Sequence, residues 1–132
     1  MMYRAYNPKY KQQQARKENK YHARKVVAQG QVFDSEKEYA RYLELKLLEK
    51  AGEISQLERQ VKYDLIPKQM DEEGKMIERP TVYVADFQYR DNTTGEFIVE
   101  DVKGYRRGQA YAVFSLKRKL MLWRYGIKIR EV

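Results

Sequence analysis

Residues 82–104 read VYVADFQYRDNTTGEFIVEDVKG, two apolar runs on either side of the polar turn Asp91-Asn92-Thr93-Thr94-Gly95. β-Branched and aromatic residues joined by a turn of this chemistry predict an antiparallel hairpin. Side chains on a strand alternate faces, so Tyr83, Ala85, Phe87 and Tyr89 share one side and Val82, Val84, Asp86 and Gln88 the other. In the second run Asp101 and Lys103 point the same way, and Glu100 points opposite to them. A carboxylate at the end of an apolar face loses solvation unless it is paired or binds a metal. Asp86, Asp101 and Lys103 therefore have two readings, a structural salt bridge or a metal and phosphate site. A local bulge would put Glu100 in the place of Asp101.

Upstream of the hairpin, Val61, Tyr63 and Leu65 alternate with Lys62 and Asp64, a further strand within 53–68 that ends at Pro67. Residues 69–80 are a charged connection around Gly74. Before these, Ser35 and Glu38 form a capping box that opens a helix. Ala40, Leu43, Leu47 and Ala51 recur along it, with Leu48 alongside, and Gly52 marks its end. Glu38 thus has a capping role, and a first-turn carboxylate can also face a site. Residues 21–33 read as two short strands around Gln29-Gly30. Residues 1–20, with a glutamine run and Pro8, read as a flexible basic arm in which Tyr3, Tyr6 and Tyr10 are available to stack on bases.

Downstream, Gly104-Tyr105-Arg106-Arg107-Gly108 is a basic loop. A second helix is expected over 109–125, its stripe formed by Ala112, Leu116, Leu120 and Trp123 and broadened by Val113 and Met121. Gly126 ends it, and Ile127 to Val132 form a closing strand. The order helix, three strands, helix, strand predicts an α/β fold with a mixed central sheet flanked by helices. We take 21–132 as the folded domain.

Composition narrows the chemistry. The 132 residues contain no cysteine, which excludes disulfides and thiolate zinc sites, and one histidine, His22, which argues against a Ser-His triad or a His-rich metal site. Any metal is held by oxygen ligands, which suits Mg²⁺ or Mn²⁺. No Walker loop supports nucleoside triphosphate hydrolysis. No apolar run reaches the roughly 18 residues of a membrane span, and the basic N-terminus lacks the apolar core of a secretory signal. A cytoplasmic location is expected, without a membrane partner. The net charge of +8 is unevenly spread: both basic ends bracket an acidic middle, from residue 31 to 102. Basic ends suit a polyanion and clustered acids suit a metal.

Phosphodiester cleavage needs an activated water, charge neutralisation at phosphate and a stabilised leaving oxygen, all of which carboxylate-bound divalent ions supply. Asp86 and Asp101 are the central candidate ligands, the Val102 carbonyl lies beside them, and Glu38 is a further candidate. Lys103 is placed to orient the attacking water and offset phosphate charge.

Ser35-x-x-Glu38, then Ala85-Asp86-Phe87, then Glu100-Asp101-Val102-Lys103-Gly104 together resemble the PD-(D/E)XK nuclease superfamily. The likeness is greatest to small phage-encoded nucleases related to Holliday-junction resolvases and transposase endonuclease subunits. Ala85 replaces the eponymous proline. The resemblance implies a restriction-endonuclease-like α-β-β-β-α-β core and Mg²⁺-dependent DNA endonuclease activity, with Glu38, Asp86, Asp101 and Lys103 as the catalytic set. It implies structure-selective action on branched DNA by a homodimer, in a bacterial host's cytoplasm if the protein is phage-encoded. It also places Gln60 near the site, where related strands open with Gln-Pro and this one has Val61. Phosphate contacts are expected from Arg24, Lys25, Tyr105, Arg106, Arg107, Lys117, Arg118 and Lys119. The alternative functions are a noncatalytic basic nucleic-acid-binding module and a structural protein whose acids form simple salt bridges.

Overall fold

The structure, a computed structural model, describes residues 24–132. The expected basic arm, its tyrosines and His22 lie outside the described residues. The chain divides into two compact units, 1–39 and 40–132.

In the first unit, β1 (Val26–Ala28) and β2 (Gln31–Phe33) form a hairpin in which Ala28 faces Gln31 across a two-residue turn. Gln29 and Gly30 take φ of 53° and 72°, the left-handed pair that matches strand twist in such turns. Helix α1 (Glu36–Lys50) begins here. Ser35 Oγ accepts the Glu38 N–H at 3.0 Å, and Glu38 Oε2 accepts the Asp34 N–H at 3.3 Å. The expected cap is present, and Glu38 is buried.

In the second unit, α1 ends at Gly52, whose φ of 78° fits a left-handed C-cap. There follow β3 (Ile54–Ile66), the short β4 (Gln69–Met70) and β5 (Met76–Glu78), β6 (Thr81–Asp91), β7 (Phe97–Asp101), α2 (Gly108–Tyr125) and β8 (Arg130–Glu131). The central sheet runs β3-β6-β7-β8, antiparallel except for the parallel β7–β8 pair. A mixed sheet with the expected element order results. The charged connection of 69–80 carries a small hairpin of its own, β4 with β5. Leu65, Tyr83, Ala85, Val99, Phe114, Met121 and Ile129 form the core between the sheet and α2. Among the described residues no helix is long and apolar enough to cross a membrane.

Both helices depart from expectation in the face they bury. Leu43 and Leu47 of α1 are exposed, Leu47 at 68%, while Tyr42 and Leu45 are buried. On α2, Leu116 and Trp123 are exposed, Trp123 at 80%, while Phe114 and Met121 are buried. At about 100° per residue Leu43 and Leu47 lie on the far side of α1 from its buried positions; on α2 the expected Met121 is buried and Leu120 packs against the core, while Leu116 and Trp123 face away. The reason is directional contact. Tyr42 stacks on Phe87, and Arg41 reaches Glu100. Phe114 meets Tyr83, Arg124 donates to the Leu65 carbonyl at 2.7 Å, and the Tyr125 hydroxyl donates to the Asp64 carbonyl at 2.5 Å. These aromatic and polar anchors fix helix rotation, and Leu43, Leu47, Leu116 and Trp123 are left at the surface.

Candidate nuclease site

Asp86 sits where β6 parts from β7. On the β3 side the register is continuous, from Arg59↔Phe87 to Val61↔Ala85. Gln60, at the intervening position opposite Asp86, takes φ 52°. A non-glycine residue in the left-handed region is strained by about 1–3 kcal/mol, and such strain gathers at functional sites. On the β7 side the ladder runs from Arg90↔Phe97 to Phe87↔Glu100. One rung further, the Asp86 carboxylate takes over from the backbone: its Oδ2 accepts the Val102 N–H at 2.8 Å.

The last residues of β7 are held from the other edge. Val132 donates its N–H to the Asp101 carbonyl at 2.9 Å and accepts the Lys103 N–H at 2.8 Å. Peptide groups along a strand alternate edges, so the Val102 N–H and C=O both turn toward β6. The Val102 carbonyl therefore lies on the Asp86 side.

Asp101 and Lys103 do share a direction. Lys103 Nζ is 2.7 Å from Asp101 Oδ1, and the Tyr83 hydroxyl donates to Asp101 Oδ2 at 2.7 Å. The ammonium stands 3.4 Å from the Phe114 ring centroid, a cation–π contact. The Tyr83 hydroxyl is pushed well above the usual phenol range, first by burial and then by the Asp101 charge. It stays a donor, which fixes the orientation of the Asp101 carboxylate. Tyr83 and Phe114 were absent from the expected site. Tyr83 reads as an apolar-face residue, and only its hydroxyl, the polar tip of a buried ring, hints at a partner.

Glu100 takes the opposite direction, as alternation requires, and does not replace Asp101. It is 0% exposed and accepts from Arg41 Nε at 3.0 Å, from Arg41 Nη2 at 2.6 Å and from the Tyr89 hydroxyl at 2.5 Å. The Arg41 guanidinium is held above its ordinary value chiefly by its hydrogen bond to Glu100. Burial, reinforced by Glu100, pushes the Tyr89 phenol up to about 12.

The basic residues fall into three groups. Arg24 and Lys25, in the first unit, are exposed. Tyr105, Arg106 and Arg107 are exposed on the loop that leads from Lys103 into α2. That helix opens at Gly108 with no acid in its first turn, a terminus that favours an anion. Lys119 is exposed and Lys117 half-buried, but Arg118 is engaged within the protein: it lies 3.2 Å from Glu131 Oε2 and donates to the Tyr111 hydroxyl at 3.4 Å. Arg106 lies 3.9 Å from the same Glu131. Gln60 is exposed beside Asp86 in register.

Among the described residues no group of three or more His, Cys, Asp or Glu side chains is placed to hold a metal ion. The donors at the β6–β7 junction are two aspartates and one backbone carbonyl. Mg²⁺ is commonly bound through one or two carboxylates while keeping several waters, so this all-oxygen set fits Mg²⁺ or Mn²⁺. Glu38, in the other unit, is engaged by its own cap.

The family model described as protein of unknown function (DUF1064) matches residues 18–131, so the chain belongs to that family. No curated protein and no solved structure matches it.

Proposed function

We propose that this member of the DUF1064 family is a divalent-metal-dependent DNA endonuclease of the PD-(D/E)XK type, acting on branched DNA as a homodimer. The observation that carries the reading is the junction of β6 and β7. There Asp86 bonds to Val102 instead of continuing the ladder, and Asp101 with Lys103 follows at once. Carboxylates, a turned carbonyl and an ammonium at the parting of two strands are the groups that phosphodiester hydrolysis uses.

Each residue has a distinct part. Asp86, Asp101 and the Val102 carbonyl would hold Mg²⁺ or Mn²⁺. An ion held there would lower the pKa of a bound water and neutralise phosphate charge. Lys103, steadied by Asp101 and the Phe114 ring, orients the attacking water and offsets the charge that grows on phosphate. Tyr83 keeps the Asp101 carboxylate in one orientation. Tyr105, Arg106 and Arg107 lead the DNA backbone toward the site, with Lys117 and Lys119 as further phosphate contacts and Gln60 flanking Asp86; Arg24 and Lys25 are phosphate contacts of the first unit. Arg118 contributes by holding Glu131. Action in a bacterial cytoplasm fits a cysteine-free basic chain.

The test is incubation with a four-way junction, a flap, linear duplex and single-stranded DNA, each with Mg²⁺, Mn²⁺ or EDTA. Asp101→Ala and Lys103→Ala run alongside. Metal-dependent nicking of the branched substrates, lost in both variants with binding retained, is expected. Salt-sensitive binding without cleavage of any substrate would instead favour a noncatalytic nucleic-acid-binding module.

A further inference from the structure

Glu100 and Asp101 are successive residues of β7 with opposite destinations. Asp101 meets Lys103 and Tyr83, while Glu100 gathers groups from three other elements. Arg41 comes from α1, Tyr89 from β6, and Arg130 of β8 lies 3.9 Å from Glu100 Oε1. Arg130 Nη1 also donates to the Tyr89 hydroxyl at 3.3 Å. The Arg41 fork holds both Glu100 oxygens, and its remaining edge donates to Glu44 at 2.8 Å.

Stability does not account for this arrangement. A buried ion pair is often replaceable by apolar residues of similar volume at no loss, because two charges must be desolvated to make it. A planar guanidinium on a carboxylate does supply direction, which neither an apolar pair nor a lysine reproduces. The direction is applied at Glu100, the residue in the last β6–β7 rung before Asp86 takes over. Twisting β7 to move Asp101 would carry Glu100 off its fork, since adjacent side chains share one strand axis.

We propose that the Arg41–Glu100 fork is a positioning device that sets the twist of β7 and thereby holds the Asp86–Val102 and Asp101–Lys103 contacts in place. Its catalytic consequence rests on the nuclease reading; its structural consequence does not. Arg41 and Glu100 are positioning residues that act through Asp86 and Asp101.

The experiment compares the full chain with its Arg41→Lys variant by amide hydrogen exchange and by cleavage kinetics. The Val102 N–H, bonded to a side chain, reports the junction directly. Its protection is expected to fall about tenfold in Arg41→Lys while amides of the β3–β6 ladder hold steady, a local opening rather than a global one. In the cleavage assay kcat is expected to fall about tenfold with KM unchanged, as misplaced groups act on the transition state alone. Unchanged Val102 protection, or an equal loss at every amide, would overturn the proposal. If the wild type cleaves nothing, the nuclease reading fails and the exchange result alone decides the fork. If Arg41→Lys does not fold, Tyr89→Phe removes one donor to Glu100 and keeps the ion pair. A smaller loss confined to the same place is then expected, and its absence overturns the proposal.

Discussion

Lys103→Met separates the structural and chemical roles of the site. Methionine keeps an unbranched stem over Phe114, so the change removes charge more than shape. In the wild type Lys103 Nζ lies 2.7 Å from Asp101 Oδ1, with the two side chains 16% and 10% exposed. Removing one partner of a pair this withdrawn from water costs about 3 kcal/mol, because it leaves the Asp101 carboxylate without its cation. The lost cation–π contact is worth about 1 kcal/mol, and a sulfur–aromatic contact returns a similar amount. At about 4 °C per kcal/mol for a chain of this size, Tm falls by about 12 °C. Asp101→Asn with Lys103→Met removes both charges and is expected to recover most of that loss. Urea unfolding of the wild type, both single variants and the double variant gives the coupling directly, expected at about 2 kcal/mol. A Lys103→Met protein within 1 kcal/mol of wild type, or a coupling near zero, would mean that Lys103 and Asp101 do not stabilise one another, since about 3 kcal/mol is at stake. The stable double variant then isolates chemistry. It is expected to be folded and inactive, and cleavage at the wild-type rate would remove Asp101 and Lys103 from the reaction.

Other substitutions probe neighbouring contacts. Tyr83→Phe deletes the 2.7 Å hydrogen bond to Asp101 and is expected to cost about 2 kcal/mol in chemical denaturation, the range for a bond to a charged group. Gln60→Gly relieves the strain at φ 52° and is expected to raise stability by about 0.5–1 kcal/mol, read as a higher urea midpoint. Ser35→Ala removes the acceptor of the Glu38 N–H and is expected to cost about 1 kcal/mol by the same measurement.

The strands and the directions of their side chains were legible because alternation leaves little freedom. Asp101 and Lys103 meet as period 2 requires, and Glu100 faces away. The capping box at Ser35 and Glu38 and the left-handed Gly126 at the end of α2 were likewise written in local residue types. Helix rotation was not legible. Leu43, Leu47, Leu116 and Trp123 belong to the more apolar stripes, yet Tyr42, Leu45 and Phe114 are buried instead, and of the expected α2 stripe Met121 is buried and Leu120 packs against the core. Arg41 at Glu100 and Phe114 at Tyr83 select those faces, and long-range partners leave no trace in a helix's own periodicity. Gln60 illustrates the same limit. Its left-handed backbone opposite Asp86 depends on how β3 crosses β6, and glutamine gives no local signal for it.

The proposed hydrolysis of DNA at the β6–β7 junction with a divalent ion depends on the charge of Asp86. Asp86→Asn tests it most directly, because the amide oxygen still accepts the Val102 N–H while the charge is gone. Single-turnover cleavage of an end-labelled four-way junction is measured with Mg²⁺ and with EDTA, for wild type and variant. The account predicts Mg²⁺-dependent product from the wild type and a rate at least about a thousandfold lower from Asp86→Asn, with junction binding unchanged. Equal rates from the two proteins, or no Mg²⁺-dependent product from the wild type, would contradict it.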